Sequence, residues 1–178
     1  YDQHFTHPQS IFRVGTHFKG QEGESRTAGT PAPLGPLMQR EFPEITAMAR
    51  LFVPFSEDKS ILQLRENGKV KTAFYENKGY LVDSNFFDIF DFEFIAGNPQ
   101  KALNRPNTVV LSSSSAEKLF GNQAALGKIV HIGNSMGDLD YEVTGIFKAP
   151  KAPSHLDGRF YMSIYSGFIG EFIRTTDN

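Results

Sequence analysis

The chain has 178 residues, 18 basic and 20 acidic side chains, and a formal charge of −2. Its mean hydropathy is −0.33. A chain this long hides roughly 70% of its unfolded surface on folding and needs no metal or disulfide staple. The near-neutral balance argues against an electrostatic grip on nucleic acid, and no run approaches the roughly 18 apolar residues of a membrane span. With no cysteine, thiol catalysis, disulfides and Cys-type zinc sites are excluded. The opening YDQHFTHPQS lacks the charged-then-apolar layout of a signal peptide and reads as a segment entered in mid-chain.

In chain order, Ile11 to Phe18 alternates as a strand does. Residues 19–30 are glycine-rich and polar and predict a mobile loop. Prolines open a helix whose apolar stripe is Leu34, Leu37, Met38 and Phe42, and Pro43 closes it. Residues 45–55 turn strand-like. The strongest local signal is the hairpin of 61–66 and 69–75 around Asn67-Gly68, a pair suited to a type I′ turn. An unbroken two-residue loop sets Glu66 opposite Lys69, Leu62 opposite Ala73 and Ile61 opposite Phe74.

Asp83 or Ser84 is the expected N-cap of a short helix over 85–90. The chain has 17 Phe and no Trp, and five of the Phe fall between 86 and 94, which predicts an aromatic lobe. Residues 108–111 form a short strand, followed by a helix with Ser114 and Glu117 as a capping box and Gly121 as the stop. Strands over 128–132 and 141–148 flank a loop at 133–140, and a last strand covers 159–165. The irregular mixture predicts a mixed α/β (α+β) domain of two lobes.

Candidate chemistry is sparse. His4 and His7 share a helical spacing and could bind a metal with Asp2, and His17 is a further candidate, but a complete ligand set is missing. Asn134, Asp138 and Asp140 match only part of a calcium loop and read as an acidic hairpin tip. Ser113, Ser114 and Ser115 lack a nucleophile elbow and are better explained by helix capping. Gly20, Gly23 and Gly29 lie outside any strand-turn-helix phosphate motif. His155 suits a linker closed onto the last strand better than a base or pH switch. The sequence therefore assigns no catalytic, cofactor-binding or metal-ligating residue, and an enzyme is disfavoured.

The order of the motifs resembles that of the MacB-like periplasmic core domain of MacB/FtsX-type ABC transporter permeases. Thr30-Pro31-Ala32-Pro33-Leu34 with Phe42-Pro43-Glu44 is similar to its first helix. Val82-Asp83-Ser84-Asn85-Phe86-Phe87, Phe90, Phe92, Gly97-Asn98-Pro99 and Ala102-Leu103 resemble the next signature. Pro106, Val109-Val110-Leu111-Ser112, Ala116, Lys118 and Phe120-Gly121 resemble the third. Gly127-Lys128, Val143-Thr144-Gly145 and Ser154-His155-Leu156 complete the set.

The resemblance implies a porter-like lobe over 1–95 and 155–178 with a smaller lobe inserted over 96–154. It also implies an extracytoplasmic domain anchored in the inner membrane by helices outside this segment. The expected partners are a second permease copy, a separate ATPase subunit and a periplasmic adaptor, with no cofactor, and the isolated domain is expected to be a monomer or weak dimer. ATP-driven motion would be transmitted to export or release substrates such as peptides or lipoproteins. Two alternatives are a scaffold activating a cell-wall hydrolase and a stand-alone solute-binding domain.

Overall fold

The computed structural model describes residues 8–20, 23–54, 59–135, 137–149 and 155–177. After a single 3-10 turn at Pro8–Ser10, β1 (Thr16–Gly20) and β2 (Gly23–Thr27) pair antiparallel as a separate two-stranded ribbon. Helix α1 (Leu34–Glu41) leads to β3 (Leu51–Phe52), β4 (Ser60–Glu66), β5 (Lys69–Glu76) and β6 (Gly79–Val82). Next come α2 (Phe86–Ile89), β7 (Phe94–Gly97), β8 (Thr108–Ser112), α3 (Ser113–Phe120), β9 (Ile129–Asn134), β10 (Gly137–Phe147), β11 (Phe160–Ser163) and α4 (Gly167–Thr176).

Among the described residues, nine strands form one mixed sheet in the order β3-β6-β11-β8-β10-β9-β4-β5, with β7 added on β10. The pairs β8–β10 and β6–β11 are parallel and the others antiparallel. Strands from 96–154 thus lie in the same sheet as strands from either side of that stretch.

Strand alternation divides the apolar residues between two faces. Val109 and Leu111 point to an aliphatic core with Leu62, Val130, Ile132 and Met162, closed by Leu119 and Phe120 of α3 and Ile169 and Ile173 of α4. Val110 and Tyr161 point the other way, into an aromatic core with Phe86, Phe87 and Phe147. The Tyr161 ring is fully buried and lies 5.1 Å from Phe86, 5.4 Å from Phe92 and 5.6 Å from Phe147. The cluster of Phe in 86–94 is therefore the lid of one sheet face.

Several local expectations are corrected. The Asn67-Gly68 turn forms with both residues at positive φ, and Glu66 faces Lys69. A bulge then inserts Lys71 on β5, so Leu62 faces Phe74 and Ile61 faces Tyr75. One extra residue exchanges the facing partners for the rest of the strand. The cap of α3 is Ser112, whose hydroxyl accepts the Ser115 N–H at 3.2 Å, instead of Ser114. Gly121 does end that helix, with φ 59 and its N–H on the Glu117 carbonyl.

The strand expected over 45–55 shrinks to Leu51–Phe52, because the Arg50 N–H is taken by the Asp83 carboxylate at 2.7 Å and Pro54 offers no donor. Asn85, without a side-chain cap bond, stands where Asp83 or Ser84 was expected before α2. The loop at 133–140 contracts to a turn between Asn134 and Gly137, since β9 and β10 extend into it. The strand expected over 11–18 begins only at Thr16, and much of the predicted loop 19–30 is ribbon. Apart from Phe18 the ribbon's side chains are polar, because both faces meet water.

Candidate interaction surface

The most constrained polar constellation is built on Arg50. Its guanidinium donates Nη2 to Asp83 Oδ1 at 2.9 Å and Nε to Asp83 Oδ2 at 3.0 Å. Nη1 and Nη2 also reach Asp177 Oδ1 and Oδ2 at 2.7 and 2.8 Å. Two carboxylates thus share one planar fork, the geometry arginine is suited to. The three residues join the approach to β3, the exit of β6 and the C-cap of α4. Burial opposes the charge on Arg50, but the bonds and charges of Asp83 and Asp177 outweigh it and raise its pKa above the ordinary value.

A second polar cluster ties β5 to α3. Ser115 Oγ donates to Glu76 Oε2 at 3.1 Å, and Lys118 Nζ reaches the same oxygen at 3.2 Å. Ser112 Oγ lies 2.9 Å from Ser115 Oγ. The Ser115 hydroxyl is fully buried, so no substrate can approach it as a nucleophile. The cluster holds β5 to α3.

The structure scatters the other candidates. His4, His7 and Asp2 lie outside the described residues. His17 Nε2 meets Glu24 Oε2 at 3.0 Å across the ribbon. Asp140 meets His131 Nδ1 at 2.9 Å, and Asp138 lies over Gly133, so the acidic hairpin tip is cross-strand pairing. Among the described residues, no group of three or more His, Asp or Glu is placed to hold a metal ion. Gly20 and Gly23 flank the ribbon turn. His155 is exposed, and the linker beside it is tied down by Tyr161, whose O–H donates to the Leu156 carbonyl and accepts the Gly158 N–H, both at 3.2 Å. Burial pushes the Tyr161 pKa up and, more modestly, lifts Tyr141 to about 12 against a hydrogen bond with Ser166.

The described surface also carries exposed apolar side chains. Phe12 is 83% exposed and Phe18 58%, with Val14, Leu37, Phe42 and Val53 also exposed along the N-terminal third. The ribbon that carries Phe18 is fastened by Thr16 Oγ1 donating to the Gly29 carbonyl at 2.8 Å and by the His17–Glu24 and Lys19–Glu24 pairs. An isolated two-stranded ribbon is marginal in water. Sequence reasoning missed this because polar alternation and glycine alone read as a loop.

No described helix is long and apolar enough to cross a membrane. The family model of the MacB-like periplasmic core domain matches residues 1–177. A search of curated proteins returned no match. A crystal structure of a domain assigned as a permease from Porphyromonas gingivalis superposes with a TM-score of 0.69 at 27% identity, covering 91% of this chain. This chain spans 66% of that structure's length, just under two thirds.

The periplasmic region of MacB from Actinobacillus actinomycetemcomitans has a TM-score of 0.39 at 20% identity, covering 59% of this chain and 44% of its own. The extracellular domain of the noncanonic ABC-type transporter YknZ from Gram-positive bacteria has 0.43 at 20%, covering 75% and 64%. With a family match over residues 1–177 and a fold shared with the P. gingivalis domain, the chain belongs to the MacB-like periplasmic core domain family.

Proposed function

We propose that this chain is the extracytoplasmic module of an inner-membrane ABC transporter permease, which relays motion driven by a separate ATPase subunit and docks a partner outside the membrane. Its working context is a pair of permease copies with a periplasmic adaptor, and its cargo is peptide-like or lipoprotein-like. One observation supports the relay above others: Arg50 clamps the entry to the sheet and the end of α4 to the same Asp83 edge. A displacement applied at either place is then carried by a sheet packed on both faces and is not absorbed locally.

The exposed aromatic residues of the N-terminal third are the docking element in this reading. Reconstitution of the parent permease with its ATPase tests it. Phe12→Glu with Phe18→Glu should abolish adaptor retention and cargo export while leaving ATP hydrolysis in place. Full export by that variant, or a parent polypeptide with no membrane helices, overturns the reading.

A further inference from the structure

A cavity of about 110 Å³ opens where the start of β4, the β5–β6 turn and the end of β9 meet. By volume it holds roughly four waters. Its polar lining comes from Lys59 and Ser60, Lys78 and Tyr80, and Asn134 and Ser135. Among the described residues no carboxylate lines it, and the residues that border it carry two ammonium groups, three hydroxyls and an amide. Within it, Asn134 Nδ2 donates to Ser60 Oγ at 3.5 Å. Lys78 is paired with Asp157, which does not line the cavity.

The backbone at Lys78 adds an independent observation. It sits at φ 58, left-handed space that disfavours a side chain, although the next residue is glycine. The Lys78 carbonyl accepts the Arg159 N–H at 2.9 Å, which holds the turn against β11. A strained non-glycine residue beside a cavity points to a role for its side chain. Here that side chain puts a second cation, held by Asp157, at the border of the space that Lys59 also lines.

We infer that this cavity binds a phosphate group. A tetrahedral dianion matches two point-charge donors and several hydroxyls, and it fits the volume. Lys78 can leave Asp157 for it because an exposed ion pair holds its partners weakly.

Titration of the 178-residue domain with inorganic phosphate at low salt, followed by backbone amide NMR, tests the site. Saturable shifts centred on Ser60, Gly79 and Asn134 are expected. Lys59→Gln should weaken binding about fivefold, and Asp157→Asn, by freeing Lys78, should tighten it about fivefold. Lys78→Gly suits the left-handed turn, so it should fold normally and lose binding. Dihexanoylphosphatidic acid, run in parallel below its micelle concentration, identifies the source: tighter binding than phosphate assigns a lipid headgroup, equal or weaker binding a soluble phosphate. Non-saturating shifts spread over many lysines, or an Asp157→Asn variant that binds more weakly, overturn the inference.

Discussion

Arg50 and Asp83 are joined three times over, by two guanidinium bonds and by the Arg50 backbone N–H on Asp83 Oδ2 at 2.7 Å. The side chains are 13% and 6% exposed, so the pair is largely withdrawn from water, whereas Asp177 is 26% exposed. Removing Asp83 leaves the largely buried Arg50 with only the wetter Asp177 as counter-ion. Asp83→Ala should therefore cost about 3 kcal/mol, the low end for a broken buried pair. Asp177→Ala, at the wetter end, should cost about 1 kcal/mol. The double variant Arg50→Met/Asp83→Leu should lose less than Asp83→Ala, since only Asp177, at the wetter end, then loses its counter-ion. Urea unfolding of the three variants checks the order.

Alkaline stability follows from the buried phenols. Tyr141 titrates at about 12 in the folded chain against an ordinary value of 10.0. Above pH 10 the unfolded state releases that proton while the folded state keeps it, so stability falls as pH rises from about 10 to about 12. Tyr161, raised further by burial, extends the fall. Tyr141→Phe should flatten the 10-to-12 segment of a stability–pH curve measured by denaturant midpoints, and an unchanged slope would refute the assignment.

Close approach decides position 79. A Cβ on Gly79 would stand 2.0 Å from Cζ of Phe160, a fully buried ring. Neither the ring nor the paired β6 and β11 strands can give that distance without repacking. Gly79→Ala should destabilise the domain by about 1–3 kcal/mol, as overpacked cores do, with thermal unfolding as the measure. Restoring stability through Phe160→Leu in the same chain would locate the strain.

The serine run offers a sharper comparison. Ser112→Ala removes the hydroxyl that caps α3 and should cost about 1 kcal/mol. Ser114→Ala leaves that cap in place and should cost less than about 0.5 kcal/mol. Equal losses in chemical denaturation would place the cap elsewhere.

These serines illustrate how far the sequence could be read. That a helix starts within Ser112–Ser115 was legible, because short hydroxyl side chains before Ala116, Leu119 and Phe120 have few other uses. Which serine caps was not legible, since it depends on where β8 stops pairing with β10. The Asn67-Gly68 turn was visible for a local reason, positive φ at two residues, but the bulge at Lys71 arises from a strand pairing no turn motif specifies. Helix α4 was missed altogether. Gly167, Gly170 and the β-branched Ile and Thr residues give it weak intrinsic propensity, and it stands because Ile169 and Ile173 are buried against the sheet.

By itself the amino-acid order determined the mixed architecture, the aromatic cluster, the main hairpin and the kinship, all carried by side-chain types at short spacings. Tertiary structure alone decided that Asp83 binds Arg50 and does not cap a helix, that Asp177 joins them across 127 residues, and that Lys59 and Lys78 border one cavity. The physical reason is range: turns and caps are settled within a few residues by sterics and hydrogen bonding, whereas ion pairs and cavities depend on which distant strands come to lie side by side.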